Sequence, residues 1–526
     1  MQPVDLIIHN AKIYTVDEDF STTESLVVKN GKFVATGESD HMLKKYSALK
    51  TIDLQGNYVY PGFIDPHCHF YDYGIGLTNA DLTGTSSFEE VIDIIKSYHK
   101  ESESRWITGY GWDQNKWEEK RFPHRYELDK VFPKTPVVLT RICTHGTIAN
   151  TEALLRAGID PEKPGSLSDQ FIRKDGKLTG MIIGRANTIV KKHIPGPSEK
   201  EKEEGLLKAQ EHCFAYGLTS VNDAGLDRQV IRLLDSCQKK GRLKMRVYAM
   251  LKPTTENFET FLYKGIYKTS HLHIRSIKLF ADGALGPRSA LLIQPYSDDP
   301  GNSGVYAEKP ENLRKLSQKA FENGYQVNTH CIGDLAVRLV LNIYGDILKE
   351  ANERRWRAEH AQIVHPADTG LFGKYSIIPS VQASQATSDM SWAYKRIGRE
   401  RLKNSYRYRD LMEQNGWIAN GSDFPVESLN PLKGFYAAVA RKNDDGHPGG
   451  GFQPENALTR RQALQAMTIW AAKASFEENE KGSIEPGKIA DFTVTGEDIM
   501  KKEIEKVPRI KVLKTFSGGV SVYSIH

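Results

Sequence analysis

The sequence predicts an α/β protein built on a parallel (β/α)8 barrel of the TIM type, with a small β-sandwich formed by both chain ends. Three observations support this prediction. Short apolar runs alternate with helical stretches in the middle of the chain, both ends carry short strands separated by turns, and one long segment interrupts the alternation. At 526 residues the chain is also too long for one compact core, so several domains are expected.

The two chain ends show the pattern of short strands joined by tight turns. Residues 25–29 and 32–36 flank the hairpin dipeptide Asn30-Gly31, and a similar pair of runs around a Gly-Gly turn occupies 512–523. Neither end has enough strands to bury a sheet alone. We therefore expect residues 1–61 and 478–526 to form one composite β-sandwich.

The middle of the chain alternates between strand and helix, which is typical of a parallel sheet with crossover helices. We assign the catalytic barrel to residues 62–84 and 205–477. Residues 85–204 are rich in Trp, Pro, Gly and charge, so we expect them to form a cap inserted after the first barrel strand. The predicted strands are 59–64, 218–221, 245–250, 274–280, 326–329, 356–360, 377–381 and 417–420, with helices at 311–323 and 335–348.

Composition narrows the class of protein. A net charge of +5, with the basic residues scattered, gives no reason to expect nucleic acid or a membrane surface as a partner. No apolar run is long enough for a membrane span, and the N-terminus lacks the pattern of a signal peptide. The five cysteines are widely spaced and form no CxxC pair, which favours a reducing compartment. We therefore expect a cytoplasmic protein.

The sequence His67-Cys68-His69 follows an apolar strand and is the first candidate metal site. Because alternate residues of a strand point to the same face, both imidazoles can converge on one ion while Cys68 points away. A lone HxH is also compatible with two polar residues at a strand end. Its surroundings in the chain decide between these interpretations.

Four more candidate ligands lie at the carboxyl ends of later predicted strands: Lys278, His330, His360 and Asp423. The carboxyl ends of the strands in a parallel barrel all face one rim, where the active sites of such barrels are built. Six such groups, arriving in order on separate strands, are difficult to explain as satisfied core residues. Together they predict a metal site at this rim.

Several motifs extend over nearly the whole chain. They are PGFIDPHCH, KLFADG, THCIGD, EHAQ and GSDFP, together with GYGWDQNKW (109–117), CTHGTIANTEAL (143–154), YGLTSVNDAG (216–225) and GSIEPGKIADFTV (482–494). In this combination the sequence resembles the amidohydrolase superfamily. More narrowly, it resembles the branch that includes N-substituted formamide deformylases and many uncharacterised metal-dependent hydrolases.

The resemblance implies a role for each candidate ligand. His67 and His69 would hold the more buried ion, and His330 and His360 would hold a second ion. Lys278 matches the position of a carboxylated lysine that bridges both ions in binuclear members. We expect one or two divalent metal ions per chain, with zinc the first candidate because imidazole and carboxylate ligands suit it. Iron, manganese, cobalt and nickel are the alternatives.

Two alternatives concern Lys278. A protonated lysine is a poor ligand, whereas a carbamate would supply two anionic oxygens. An unmodified Lys278 would instead pair with an acid such as Asp282, and the enzyme would then be mononuclear.

Asp423 has two expected roles beside the ion. It can ligate the metal and accept a proton from the bound water, whose pKa the ion lowers to roughly 7 to 9. The resulting hydroxide would attack a polarised carbonyl, and Asp423 would pass the proton to the leaving nitrogen. The alternative is that Asp423 caps a turn before Pro425.

Further residues are expected around the substrate. The resemblance suggests that His145 reaches into the pocket from the inserted segment and binds the substrate carbonyl or the oxyanion. A buried structural histidine is the alternative for this residue. Three further candidates lie just beyond ligand strands and are expected to orient substrate or ligands: Asp282, Arg288 and Asp334. Three aromatic residues of the inserted segment are candidates for an apolar pocket wall, with the core of that segment as the alternative: Trp112, Trp117 and Tyr110.

The expected activity is hydrolysis of a carbon–nitrogen bond other than a peptide bond, such as an amide or formamide, in a small-molecule substrate. A cyclic amidohydrolase or a deaminase of the same superfamily is the alternative, followed by a non-catalytic scaffold. Since the chain has no GxSxG elbow and no GxGxxG fingerprint, a serine triad and a dinucleotide site are disfavoured. Barrels with a terminal β-sandwich often pair, so we expect a homodimer.

Overall fold

The computed structural model describes residues 1–101, 106–142 and 146–525 and confirms the predicted fold class. Its centre is a barrel in which each strand pairs in parallel with the next one along the chain. The eight strands are β1 (Phe63–Cys68), β2 (Leu218–Leu226), β3 (Arg246–Leu251), β4 (Leu272–Phe280), β5 (Gln326–Cys331), β6 (Arg357–His360), β7 (Ile378–Val381) and β8 (Ala419–Asn420).

The barrel closes where the chain leaves β8. The backbone N–H of Asp423 donates to the carbonyl of His67 at 2.8 Å, and the N–H of His69 donates to the carbonyl of Phe424 at 2.8 Å. These hydrogen bonds join the loop after β8 to the carboxyl end of β1. They bring residues about 350 positions apart to one rim of the barrel.

The predicted first strand, 59–64, is wrong as a single element. Tyr58–Pro61 belongs to the β-sandwich, and β1 starts after Gly62. A side chain at Gly62 would collide with Thr219, since its Cβ would lie 2.3 Å from the hydroxyl oxygen. The apolar pattern misplaced the strand because β1 itself contains Asp65 and His67, which are polar but buried.

The strands of the barrel are connected mainly by helices. The predicted helices 311–323 and 335–348 are observed as Pro310–Glu322 and Asp334–Leu348. None of the helices in the described ranges combines the length and apolar composition that a membrane-spanning helix requires. The other helices of this part of the chain are Arg228–Lys239, Thr255–Thr260, Gly370–Lys374, Ala383–Asp389, Ala393–Leu402, Tyr408–Asn415, Pro431–Ala440, Arg460–Ala466 and Ile469–Ala474.

Both chain ends contribute to the β-sandwich. Its six-stranded sheet has the order Val520–Ser524, Val512–Ser517, Phe492–Thr495, Tyr58–Pro61, Lys12–Tyr14 and Thr22–Thr23. The rings of Phe492 and Phe516 stack 4.3 Å apart in its core, which also contains Leu26 and Val59. Side chains from both ends therefore share one apolar core.

The four-stranded sheet of the sandwich comes from the N-terminal part alone, but apolar side chains of its strands are buried in the core that both ends share. Its order is Lys32–Gly37, Ser25–Lys29, Gln2–His9 and Tyr46–Asp53. The last strand follows the helix Ser39–Lys45 and pairs in parallel with the first strand of the chain. Several side chains of this last strand are exposed. Its sequence is therefore mostly polar and lacks the alternation of polar and apolar residues that would predict a strand.

Residues 73–208 form a second compact unit, and the chain enters and leaves it within the helices Phe70–Gly76 and Glu199–Ala215. It contains a mixed sheet with the strand order Phe171–Lys174, Lys177–Ile183, Gly146–Ala149, Val137–Arg141, Ile107–Trp112 and Ala80–Asp81. Its helices include Phe88–Glu101, Arg125–Asp129, Thr151–Arg156 and Asn187–Lys191.

A buried ion pair joins the barrel to the sandwich. Arg246, at the start of β3, donates to both carboxylate oxygens of Asp491 at 2.7 and 3.1 Å. The side chains of both residues are at least nine-tenths buried. Burial alone would raise the pKa of Asp491, but the charge of Arg246 lowers it below its ordinary value.

We expect Asp491→Asn to lower the free energy of unfolding by about 3 kcal/mol at pH 7, because it leaves the Arg246 charge buried without a counter-ion. The expected fall in Tm is roughly 4 °C, measured by calorimetry. Since folding lowers the pKa of Asp491, its contribution is present above about pH 4 and is lost as the pH falls further. The difference in stability between wild type and Asp491→Asn should therefore become smaller in acid.

Glu400→Gln, which breaks an exposed pair with Lys403, is the control and should change Tm little. Equal Tm values for wild type and Asp491→Asn at pH 7 would contradict this prediction.

Candidate metal centre

Three of the predicted ligands meet at one point on the barrel rim. His67 lies in β1, His69 follows it, and Asp423 lies in the loop after β8. One Asp423 oxygen, Oδ1, is 3.5 Å from His67 Nε2 and 3.3 Å from His69 Nε2. The ligand atoms of this trio all lie within 4.8 Å of one another. Between the two histidines, the Cys68 thiol donates to the carbonyl of Asn222 in β2 instead, as strand alternation predicts.

The other three predicted ligands lie beside this trio. The ring centroids of His330 and His360 are 4.5 Å apart, and those of His67 and His360 are 4.9 Å apart. The Lys278 amine lies 3.1 Å from His67 Nε2 and is buried. The fold therefore brings all six predicted groups into one site.

Sequence reasoning missed Glu359, which lies directly behind His67. The Glu359 carboxylate is 2.5 Å from His67 Nδ1, and both side chains are fully buried. The guanidinium of Arg357 lies 3.9 Å from the same carboxylate and donates to the carbonyl of Pro66. Since Nδ1–H donates to Glu359, the Nε2 lone pair of His67 faces the site.

Two glutamines orient other members of the site. His360 Nδ1 lies 2.8 Å from the side-chain oxygen of Gln382, which directs Nε2 of this imidazole away from that contact. The side-chain nitrogen of Gln385 donates to Asp423 Oδ2 at 3.2 Å. Both glutamines are buried, and they reach the site from the end of β7 and the helix after it.

Asp65 connects the two segments that carry the trio. Its carboxylate accepts hydrogen bonds from the backbone N–H of His67 at 3.1 Å and from the hydroxyl of Ser422 at 2.5 Å. The neighbouring Gly421 packs so closely that a Cβ there would lie 2.7 Å from the Asp65 carboxylate. The glycine of the GSDFP motif therefore allows the loop after β8 to approach β1.

Three of the four imidazoles of the site are held in the neutral form that suits metal binding. Burial, with the charge of Lys278, lowers the pKa of His67 and lowers that of His330 to about 3. Burial and the proximity of His330 lower the pKa of His360 well below its ordinary value. His69 differs, because Asp423 overrides the effect of burial and raises its pKa. Neutral imidazole is the form that binds a metal ion.

Charged groups also influence one another within the site. Burial alone would raise the pKa of Asp423, but the proximity of His69 and of the other imidazoles lowers it well below its ordinary value. Burial lowers the pKa of the Lys278 amine, while the carboxylates of Glu359 and Asp423 oppose that shift. The site thus combines an ionised carboxylate with a buried amine.

A divalent cation fits this set of donors. Asp423 Oδ1 is buried and has no hydrogen-bond partner in the described part of the chain, although it lies at the centre of the trio. A buried carboxylate oxygen without a partner is unfavourable unless a cation satisfies it. Imidazole nitrogens and carboxylate oxygens are ligands typical of zinc and related ions.

Two predicted substrate residues have other partners in the structure. Asp282 is buried and accepts hydrogen bonds from the backbone N–H groups of Leu291, Ile332 and Gly333 at 2.8–3.0 Å. Its carboxylate therefore holds the loops after β4 and β5. Arg288 donates to both carboxylate oxygens of Asp298 at 3.0 and 2.9 Å. Asp334, proposed to orient ligands, accepts from the backbone of Ile293.

The predicted pocket residue Trp112 is fully buried, which agrees with the alternative that it belongs to the core of the inserted segment. Its indole N–H donates to the carbonyl of Leu139, and its ring stacks on Trp117 at 5.7 Å within the core of residues 73–208. Tyr110 is exposed and donates to the carbonyl of Ile142. The alternation of the strand Ile107–Trp112 does not reveal which face is buried. His145 lies outside the described residues.

The backbone carries a further signal that the sequence could not show. His360 and Asp423 have φ values of 72° and 60°, in the left-handed region that residues other than glycine rarely adopt. At His360 the left-handed backbone interrupts the alternation of side chains between the two faces of β6. The side chains of Glu359 and His360 can therefore reach the same site. Strained conformations of this kind cluster at functional sites.

Comparison with known proteins identifies relatives along the whole chain. The profile described as "Amidohydrolase family" matches residues 50–523. YtcJ of Bacillus subtilis (strain 168), named as an amidohydrolase, is 30% identical over 98% of this chain and 99% of its own length. The N-substituted formamide deformylase of Arthrobacter pascens is 25% identical over 99% and 98% of the two chains. The crystal structure of an uncharacterized metal-dependent hydrolase from Pyrococcus furiosus superposes with a TM-score of 0.80 at 28% identity, covering 94% of this chain and 100% of that one.

Proposed function

The chain belongs to the amidohydrolase family, and from this premise we propose that it is a metal-dependent hydrolase that cleaves a carbon–nitrogen bond other than a peptide bond, of amide or formamide type. The observation that carries the proposal is the convergence of His67, His69 and the unpartnered Asp423 oxygen on one point. The names of the similar proteins, a formamide deformylase and a metal-dependent hydrolase, agree with this activity.

The residues at the rim divide into two sets of ligands. His67, His69 and Asp423 would hold one divalent ion, and His330 with His360 would hold a second. We propose zinc for both, given the imidazole and carboxylate donors. When bound, such ions acidify a water molecule and polarise the substrate carbonyl.

The surroundings of Asp423 suit it to move a proton. Gln385 holds Oδ2, so the carboxylate keeps one orientation while Oδ1 faces His67 and His69. We assign Asp423 to take the proton of the attacking water and to deliver it to the leaving nitrogen. The carboxylate is ionised at neutral pH, which is the form that can accept a proton.

Lys278 suits the role of a bridge between the two sets of ligands. Its amine lies 3.1 Å from His67 Nε2, in a site that also contains His330 and His360. A carboxylated Lys278 would present two anionic oxygens to the site where an ammonium would repel a cation. The proposed enzyme therefore has a binuclear centre with a carbamate on Lys278.

The test measures bound metal and hydrolysis on the same protein. Protein purified without chelator, with bicarbonate present, should hold about two ions per chain by elemental analysis and release amine from N-formyl and N-acetyl amines. Dialysis against a chelator should abolish both, and zinc should restore both. Lys278→Ala should hold one ion or fewer, because the bridge is lost.

The control is Lys252→Ala, which removes a half-exposed lysine that pairs with Asp227 after β2. It should bind metal and hydrolyse amides as wild type does. One ion in both wild type and Lys278→Ala would overturn the bridge and leave a mononuclear hydrolase. No bound metal after reconstitution, or no hydrolysis of any amide by the metal-loaded protein, would overturn the proposed function.

A further inference from the structure

Phe280 occupies an unusual position at the mouth of the barrel. It is the last residue of β4 and lies two residues after Lys278, so both side chains project from the same face of the strand. Lys278 is 1% exposed, whereas Phe280 is 42% exposed. This face of the strand is therefore buried at Lys278 and exposed to solvent at Phe280, where a substrate would enter.

The Phe280 ring contacts the candidate metal centre directly. Its centroid lies 5.5 Å from that of His330, its partner across the β4–β5 ladder, with the ring planes inclined by 37°. The Lys278 amine lies 5.0 Å from the Phe280 centroid. A substrate group bound beside these residues would therefore touch the aromatic ring.

Two polar groups of the loop after β4, next to Phe280, have partners in the described part of the chain. Asp282 is occupied by three backbone N–H groups, and the carbonyl of Gly283 lies 3.2 Å from His330 Nε2. The loop that returns to this strand end, through the hydrogen bond from Ala307 N–H to the carbonyl of Ala281, contains the exposed Tyr306. An apolar substituent would cover the exposed surface of the Phe280 ring.

We propose that Phe280 is a specificity-determining residue and that the substrate carries an apolar group, an aromatic ring or branched alkyl chain, next to the scissile carbon–nitrogen bond. This inference rests on the proposed function. The apolar group would lie against the Phe280 ring while the amide lies over the histidines. Aromatic contacts of this kind favour ring-bearing ligands without requiring a hydrogen bond.

The test uses ketones, which have no carbon–nitrogen bond to cleave. Benzylacetone has the shape of an N-benzyl amide with a methylene group in place of the N–H, and hydroxyethyl methyl ketone carries a hydroxyl in place of the phenyl group. Calorimetry on the metal-loaded full chain should show that benzylacetone binds roughly tenfold more tightly. Phe280→Ala should remove most of this preference, and Phe280→Leu should retain most of it.

Tyr263→Ala is the matched control, because Tyr263 is an aromatic residue of similar exposure in the connection before β4. It should leave the preference unchanged, and all variants should keep wild-type metal content and circular dichroism. Equal affinities of wild type for both ketones, no binding of benzylacetone, or an unaltered preference in Phe280→Ala would overturn the inference. Hydrolysis of the matching amide is assayed separately. Binding with the expected preference but without hydrolysis of any amide would overturn the proposed function and support the role of Phe280.

Discussion

Asp423→Asn is expected to lower kcat for amide hydrolysis by about 10³-fold, because a carboxamide cannot accept the proton of the attacking water. The substitution keeps the size of the side chain and its hydrogen bond to Gln385. Metal content is measured by elemental analysis beside kcat, because the two values together distinguish a role of Asp423 as metal ligand from its role in proton transfer. If the ion is retained while kcat falls, the loss lies in the proton transfer.

Asp368→Asn provides the control for removing a buried carboxylate elsewhere in the barrel. Asp368 is 6% exposed and pairs with Arg338, in the connection between β6 and β7. This variant should retain wild-type kcat even if its Tm falls. Wild-type kcat in Asp423→Asn would exclude the proposed proton transfer and return Asp423 to the role of a turn residue.

Glu359→Ala is expected to have two separate effects. It removes the carboxylate that orients His67, so the affinity for the metal ion should fall by about 10- to 100-fold. It also leaves the Arg357 charge buried without a counter-ion, which should lower the free energy of unfolding by about 3 kcal/mol. Metal affinity is measured by competition with a chelator, and stability is measured on the metal-free protein.

Glu359→Gln distinguishes orientation from charge. The amide oxygen can still accept the His67 Nδ1–H, so metal affinity should lie closer to that of wild type, while the loss of negative charge still lowers stability. Asp491→Asn, which breaks a buried ion pair remote from the metal centre, should lower stability without changing metal affinity. If Glu359→Ala bound the ion as tightly as wild type, the orienting role of Glu359 would be wrong.

The order of strands and the positions of the candidate ligands could be predicted from sequence, because both depend on local patterns. Buried parallel strands appear as short apolar runs, and the residues that follow them lie at one rim whatever the details of packing. This is why His330, His360 and Asp423 could be placed together before any contact was known. The same reasoning misplaced the first strand, where Asp65 and His67 interrupt the apolar pattern.

The partners of those ligands were decided only by the tertiary structure. Glu359 is 292 residues from His67 in the chain, and regular alternation would have put it on the opposite face from His360. The left-handed backbone at His360 overrides that rule. Likewise, the sequence left open whether Trp112 lines a pocket or fills a core, and it could not show that Asp282 holds two loops. Sequence by itself thus determined the fold class and the rim where six groups meet, because periodicity is a local property. Long-range packing decided which side chains at this rim orient a ligand, form an ion pair or remain exposed. A local sequence pattern carries no information about such packing.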